Sequence, residues 1–156
     1  MREKKKKINK FDIAIIIIII AIIVIDQISK IIIQNVGNIN IEQNTYSTSD
    51  ADSNSAMMYI VTNLIIIVII ARFMLSQNQF IDKILKVFLS FIIAGGISNL
   101  IDRIARGYVL EWISVSKIEW LPMFNIADVF VLVGWILVVG KFTYFTAKEL
   151  RRKAEK

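Results

Sequence analysis

Long uninterrupted runs of apolar residues dominate this chain and set its architecture. Four runs are long enough to cross a membrane, because roughly 20 helical residues span the hydrocarbon core. They predict spans at about 11–33, 56–75, 84–104 and 126–145. The first run follows a basic segment, as in a signal peptide, but no small-residue cleavage site follows it. We therefore expect a retained helix and a single all-α membrane domain over residues 1–156.

The distribution of positive charge predicts how the four spans are oriented. Basic clusters flank the first and last spans, and the connection at 72–86 is also basic, whereas the connection at 34–55 contains no Lys or Arg. Lys and Arg concentrate in cytoplasmic segments of membrane proteins. Because an even number of spans puts both termini on one side, we expect both in the cytoplasm. Arg103, Arg106 and Lys117, in the third connection, oppose this rule and are outweighed by the basic ends.

The residue types present limit the available chemistry. The sequence contains no Cys and no His, which excludes disulfides, thiol nucleophiles, Ser-His-Asp triads and histidine metal sites. We expect neither a metal nor a cofactor, and acid–base chemistry must use Asp, Glu, Lys or Tyr. The net charge of +6 lies mainly in the terminal clusters, which favours anionic lipid headgroups over nucleic acid as a partner.

Ionisable residues inside spans are energetically costly, so each is a candidate functional residue. Asp26 and Lys30 lie four apart on one helical face, where they either neutralise each other or serve a site. Asp26 is roughly 22 Å along the first helix at 1.5 Å per residue, while Asp102 ends the third span and Asp128 opens the fourth. The three acids therefore converge on one layer near the outer surface.

A pair of carboxylates in such a layer has a definite chemical use. Two close carboxylates share one proton, so that the ionised group can activate water while the protonated group polarises a peptide carbonyl. A proton relay in a transporter and a purely structural polar cluster are the alternatives.

Four short motifs at these positions resemble the lipoprotein signal peptidase (signal peptidase II) family. Residues 26–30 resemble its D-Q-x-[ST]-K motif, and residues 95–103 resemble its G-G-x-x-N-x-x-D-R motif. Residues 107–109 are similar to its G-x-V, and residues 124–128 to its F-N-x-A-D. The order and spacing of the motifs agree over nearly the whole chain.

This resemblance implies an intramembrane aspartic-type endopeptidase that removes signal peptides from diacylglyceryl-modified prolipoproteins in the bacterial cytoplasmic membrane. It implies four spans, a small extracytoplasmic β-like platform, and catalysis by Asp128 and by position 111, where the family has Asp and this chain has Glu111. A Glu reaches about 1 Å further, and misplacement by that much can cost about a hundredfold in rate. Asp102 is a conceivable substitute. The implied supporting or substrate-positioning residues are Asp26, Lys30, Asn44, Asn99, Asp102, Arg103 and Asn125.

The platform motif is the second departure from the family. Of the N-x-G-x-A-F pattern, residues 44–49 retain only Asn44, so we expect a reduced platform and an altered grip on the substrate. The expected partners are prolipoproteins and membrane lipids. The alternative function is a catalytically silent relative that binds lipoprotein signal peptides, and a further alternative is an unrelated four-span protein such as a transporter subunit.

Overall fold

The computed structural model describes residues 9–37, 39–45, 53–76, 81–115, 118 and 120–155. All four of its long helices are long and apolar enough to cross a membrane. This confirms the predicted class, four spanning helices with a small β element. In chain order the elements are α1 (Lys10–Asn35), β1 (Glu42–Asn44), α2 (Ser53–Leu75), α3 (Lys83–Arg106), β2 (Val109–Glu111) and α4 (Ile126–Ala154).

The helices extend beyond the spans predicted from hydrophobicity, most clearly at the end of α4. The prediction ended the fourth span at residue 145, whereas the helix continues to Ala154. The added turns are polar and basic but rich in good helix formers such as Ala, Lys, Glu and Arg. Hydropathy therefore marked the apolar part of the helix and missed its polar continuation.

Side-chain caps and a glycine fix where α3 begins and ends. Asp82 accepts a hydrogen bond from the backbone N–H of Leu85 at 2.9 Å and also pairs with Lys141 of α4. That hydrogen bond from Lys141 lowers the pKa of the Asp82 carboxyl. At the other end Gly107 adopts φ +81°, a left-handed conformation that glycine tolerates and that turns the chain towards β2.

α3 is the central helix, and it packs against the other three. Half of its apolar stretch is buried, compared with less than a fifth of the stretch in each other helix. The outer faces of those helices are apolar and exposed, as at Ile17 (61% exposed) and Ile136 (60%), which suits contact with lipid. The main apolar core consists of Ile70, Ile81, Leu85, Leu89, Ile92, Ile93 and Val138.

α3 and α4 approach each other closely at Gly95. A Cβ atom there would lie 2.4 Å from the backbone oxygen of Ala127 and 2.6 Å from a methyl group of Val131. Small residues permit such approach, which gives membrane helices their packing contacts. The glycine therefore brings the first turn of α4 against the middle of α3.

The two strands form an antiparallel pair that continues into the entry of α4. The register pairs Glu42 with Glu111, Gln43 with Leu110 and Asn44 with Val109. Beyond β2, the N–H of Ile113 donates to the carbonyl of Phe124 at 2.8 Å, and the N–H of Phe124 donates back at 3.1 Å. This bridge returns the chain to the start of α4, so β2 and the first turn of α4 lie side by side.

Replacing Gly95 by Ala should destabilise the protein, since the added methyl group forces α4 away from α3; overpacking of this kind costs about 1–3 kcal/mol. The matched control is Gly140→Ala in α4, where a Cβ meets nothing within 4 Å. The control should be neutral or slightly stabilising. Thermal unfolding in detergent measures both, and equal midpoints for the two variants would contradict the close contact.

Candidate active site

The first turn of α4 holds the Asp128 carboxylate in place. The backbone N–H of Asn125 donates to Asp128 Oδ2 at 3.1 Å, and the N–H of Asp128 donates to Asn125 Oδ1 at 2.9 Å. This reciprocal arrangement is a capping box, in which an acid at the third position also benefits from the positive end of the helix dipole. The capping box thus orients Asp128 locally within the first turn of α4.

Two asparagines connect Asp128 to the neighbouring elements. Asn99 of α3 donates through Nδ2 to Asp128 Oδ1 at 2.7 Å. Asn125 donates through Nδ2 to Asn99 Oδ1 at 3.1 Å and to the carbonyl of Leu110 at 3.3 Å. The chain of amides therefore joins α3, α4 and β2 around one carboxylate.

Glu111 is the second carboxylate, and it is almost completely buried, with 5% of its surface exposed. Asn44 of β1 donates through Nδ2 to Glu111 Oε1 at 2.8 Å. Burial raises the pKa of Glu111 above its usual value; the negative charges of Asp128 and Glu42 add to the increase, while Asn44 and the Arg103 guanidinium oppose it. Glu111 therefore binds its proton more tightly than an exposed glutamate does.

A buried ion pair network contacts the residues next to the two carboxylates. The Lys30 ammonium is 2.7 Å from Asp26 Oδ2 and 2.7 Å from Asp102 Oδ2, and all three side chains are completely buried. The pairing expected between Asp26 and Lys30 is present, and Asp102 joins it. Lys30 also lies 3.4 Å from Asn99 Oδ1, so the network reaches the amide that binds Asp128.

Asp26 acts on α4 as well as on Lys30. Its Oδ1 accepts the backbone N–H of Ala127 at 2.9 Å, and its Oδ2 accepts the Ser98 hydroxyl at 2.7 Å. Free N–H groups in the first helical turn need such partners. Asp26 therefore fixes the turn of α4 that carries Asp128, and the predicted convergence of Asp26, Asp102 and Asp128 on one layer is present.

The sequence reasoning missed three members of this network. Gln27 donates to Asp102 at 2.8 Å and to the Ser98 hydroxyl at 3.0 Å, and Arg106 pairs with both Asp102 and Gln27. Spacing alone offered a signal for two of them, because Ser98 and Arg106 each stand four residues from Asp102 in α3. Gln27 lay within a quoted motif, but nothing local marks its side chain as facing α3.

The structure also bears on the residues expected to hold a substrate. Asp26 and Lys30 are fully buried and contact other parts of the protein, so contact with a peptide or its lipid stays a prediction. Arg103 donates to the carbonyl of Asn99 at 3.3 Å and lies in the wall of a cavity. Asn44 belongs to β1, whereas residues 46–49 of the platform segment, and Lys117, lie outside the described residues.

A cavity of about 330 Å³ opens between α2, α3 and α4 and ends at Asp128. Its polar end contains Asp128, Asn99 and Arg103, and the rest is mostly apolar. Asn63 of α2 donates to the carbonyl of Gly96 at 3.3 Å and holds one wall against α3. A volume of this size suits an extended peptide segment or a small ligand. The remaining lining residues are Tyr59, Thr62, Ile66, Ile67, Ile70, Ile92, Val131 and Trp135.

Comparisons with a family model and with curated proteins identify the same kind of relative, a lipoprotein signal peptidase. Residues 18–144 match the family model described as signal peptidase (SPase) II. A lipoprotein signal peptidase of Clostridioides difficile (strain 630) is 32% identical over 146 residues, covering 85% of this chain and 97% of that protein. One of Clostridium tetani (strain Massachusetts / E88) is 39% identical over 84 residues, or 53% of this chain and 54% of that protein. A solved bacterial membrane enzyme shares the fold, with a TM-score of 0.75 and 24% identity over 83% of this chain and 92% of its own.

Lys30→Met should destabilise the protein strongly, because Asp26 and Asp102 then share a dry site without their ammonium partner. Removing one member of a buried ion pair costs about 3–5 kcal/mol. Lys148→Met on the exposed end of α4 is the control and should change stability little. Thermal unfolding in detergent tests the pair, and a Lys30→Met midpoint equal to that of the control would contradict a stabilising network.

Proposed function

The chain belongs to the signal peptidase II family, and from this premise we propose that it removes signal peptides from diacylglyceryl-modified prolipoproteins as an aspartic-type endopeptidase. The observation that carries the proposal is the contact set of Asp128, a carboxylate held by two asparagines at the polar end of a membrane-level cavity. Its partner is Glu111, whose buried carboxyl is influenced by the charge of Asp128. We further propose that both termini lie in the cytoplasm, which puts this site near the outer face of the bacterial cytoplasmic membrane.

The two carboxylates divide the chemistry between an ionised and a protonated group. Ionised Asp128 takes a proton from a water whose oxygen attacks the scissile carbonyl carbon, while Glu111 gives its proton to the carbonyl oxygen. In the resulting gem-diol, Asp128 returns its proton to the peptide nitrogen, and Glu111 takes one from a diol hydroxyl as the C–N bond breaks. The products are a carboxylic acid and an amine, and both side chains return to their starting states.

Glu111 fills this role although its side chain is longer than an aspartate. Its hydrogen bond to Asn44 fixes one oxygen at 2.8 Å and leaves the other available to carry a proton. Burial favours the protonated form, as a proton donor requires. The β1–β2 pair therefore sets the reach of the glutamate, which supports a working dyad over a catalytically silent relative.

Asp26, Lys30 and Asp102 serve as positioning residues in this proposal. Lys30 approaches the oxygen of the Asn99 amide, which leaves the amide nitrogen directed at Asp128. Asp26 holds the backbone next to Asp128 through Ala127. Each acts on the reaction through a neighbour, so each contributes geometry, which matters because errors near 1 Å can cost about a hundredfold.

The cavity beside Asp128 receives the substrate. α2 packs chiefly against α3, so the space between α2 and α4 opens towards the lipid, from which a signal peptide helix arrives. The apolar walls suit the hydrophobic residues of a signal peptide, and the polar end lies at the proposed cleavage point. Arg103 and Asn63 lie at its polar surfaces and can bind extended peptide backbone.

Purified protein should cleave a diacylglyceryl-modified prolipoprotein, and Asp128→Asn or Glu111→Gln should lower the rate by about 10²–10⁴, the usual contribution of an acid–base group. Glu111→Asp keeps the carboxyl and should retain activity within about a hundredfold of native. Glu149→Gln, on the partly exposed surface of α4, is the control and should cleave like the native protein.

Three outcomes would contradict the assignment. Binding of prolipoprotein without cleavage by any form that contains Asp128 would indicate a silent relative. Loss of cleavage in Asp102→Asn without loss in Glu111→Gln would show that Asp102 is the catalytic partner. Uptake that depends on an ion gradient, with no cleavage, would indicate a transporter.

Gly96→Val should narrow the cavity and weaken substrate binding. A Cβ atom at position 96 would lie 3.3 Å from the flexible side chain of Ile67. Both residues line the cavity, so the methyl groups of a valine would project into it. We expect KM to rise on the order of tenfold with a smaller change in kcat, since the loss is in binding rather than chemistry. Gly140→Val, where the Cβ position is open, is the matched control. An unchanged KM for Gly96→Val would show that the peptide binds elsewhere.

A further inference from the structure

The strand pair brings a third carboxylate to Glu111. Glu42 is directly opposite Glu111 in the antiparallel register, and directly opposed residues project from the same face of a sheet, with Cβ atoms about 4.5–5.5 Å apart. The hydrogen bond from Asn44 to Glu111 identifies that face, because side chains two apart on a strand share it. Glu42, Asn44 and Glu111 therefore project from the same face of the sheet.

The surroundings of the two glutamates differ. Glu42 is exposed at the edge of the sheet, whereas Glu111 is buried. The charged groups that face Glu111 come from three elements: Glu42 from β1, Arg103 from α3 and Asp128 from α4. Asp102 of α3 also meets β2, at the backbone N–H one residue before Glu111. Among the residues that the structure describes, the negative groups around Glu111 outnumber the Arg103 guanidinium.

Several groups around Asp128 favour its ionised form. It accepts hydrogen bonds from the Asn99 amide and from the backbone N–H of Asn125, and it lies in the first turn of α4. Asn44 is the hydrogen-bond donor observed for Glu111 among the described residues. Donors stabilise the ionised form of a carboxylate, and a like charge nearby disfavours it. A proton shared by the two groups is therefore more stable on Glu111.

We propose that Glu42 is a positioning residue of this site: its carboxylate, opposite Glu111 in the strand pair, keeps the shared proton on Glu111 and leaves Asp128 as the general base. The proposal rests on the proposed function for its catalytic meaning. It also gives the like-charge pair a purpose, because two carboxylates directly opposite each other in a strand pair are otherwise destabilising. Burial and Asp128 raise the pKa of Glu111, and Glu42 acts in the same direction.

The expected consequence is in the pH dependence of cleavage. Glu42→Gln removes the neighbouring negative charge, so Glu111 loses its proton at lower pH. The basic limb of the kcat/KM profile, which reports deprotonation of the acid in the free enzyme, should move to lower pH by on the order of half a unit. Salt weakens an effect that acts through an exposed group, so the shift should be smaller at high ionic strength.

Two variants make the test specific. Glu42→Asp retains the charge and should keep the native profile. Gln43→Glu adds a charge on the opposite face of β1, since Gln43 is the next residue along the strand, and it should also leave the basic limb in place. A merely structural role for Glu42 would change the overall rate of Glu42→Gln without moving its basic limb.

A second readout is independent of cleavage. Infrared titration of the purified protein in detergent follows the C=O stretch of protonated carboxyls, with Glu111→Gln used to assign the band. Glu42→Gln should shift the titration of that band to lower pH by the same amount. If the band shifts but no form cleaves, the influence of Glu42 stands and the proposed function fails. If cleavage occurs while both the limb and the band stay in place, the proposal for Glu42 is overturned.

Discussion

The buried ion pairs of Lys30 are the interaction on which the rest of this structure depends. A lysine with no exposed surface in a membrane-spanning helix is costly unless it is paired. Here Asp26 and Asp102 each lie 2.7 Å away, so the charges compensate only when α1 and α3 are in register. Apolar faces of membrane helices slide against one another at little cost, whereas this network allows one alignment. The ion pairs of the buried Lys30 therefore fix the position of α1 relative to α3.

The same network sets the geometry around Asp128 through two short paths. One runs from Lys30 to the Asn99 amide and on to Asp128, and the other runs from Asp26 to the backbone of Ala127. Gly95 makes both possible, because it lets α4 approach α3 closely. A displacement of any helix would change hydrogen bonds to Asp128 directly. The packing of the helices and the position of Asp128 are therefore supported by the same contacts, which explains why so many polar residues lie so close together.

The two sides of the site differ in how firmly they are held. Asp128 belongs to a long helix with a capping box, while Glu111 belongs to a three-residue strand paired with another of three residues. α2 is also loosely attached, since it packs chiefly against α3 and has little buried surface. Asp128 therefore belongs to the firmly held side of the cavity, whereas Glu111 and α2 belong to elements with fewer contacts.

Local patterns in the sequence determined the four helices, since an apolar run of about 20 residues in a membrane must satisfy its backbone hydrogen bonds internally. They also identified Asp26 with Lys30, and the capping box of Asn125 and Asp128 is equally local, because these contacts join residues three or four apart. Only the tertiary structure decided that Gln27 contacts α3 and that Glu42 is opposite Glu111. Those relations join segments dozens of residues apart, so they depend on strand register and helix packing, which no local pattern encodes. The polar end of α4 was not predicted for a different reason. Hydropathy identifies the part of a helix that contacts lipid, and it does not identify the residue at which the helix ends.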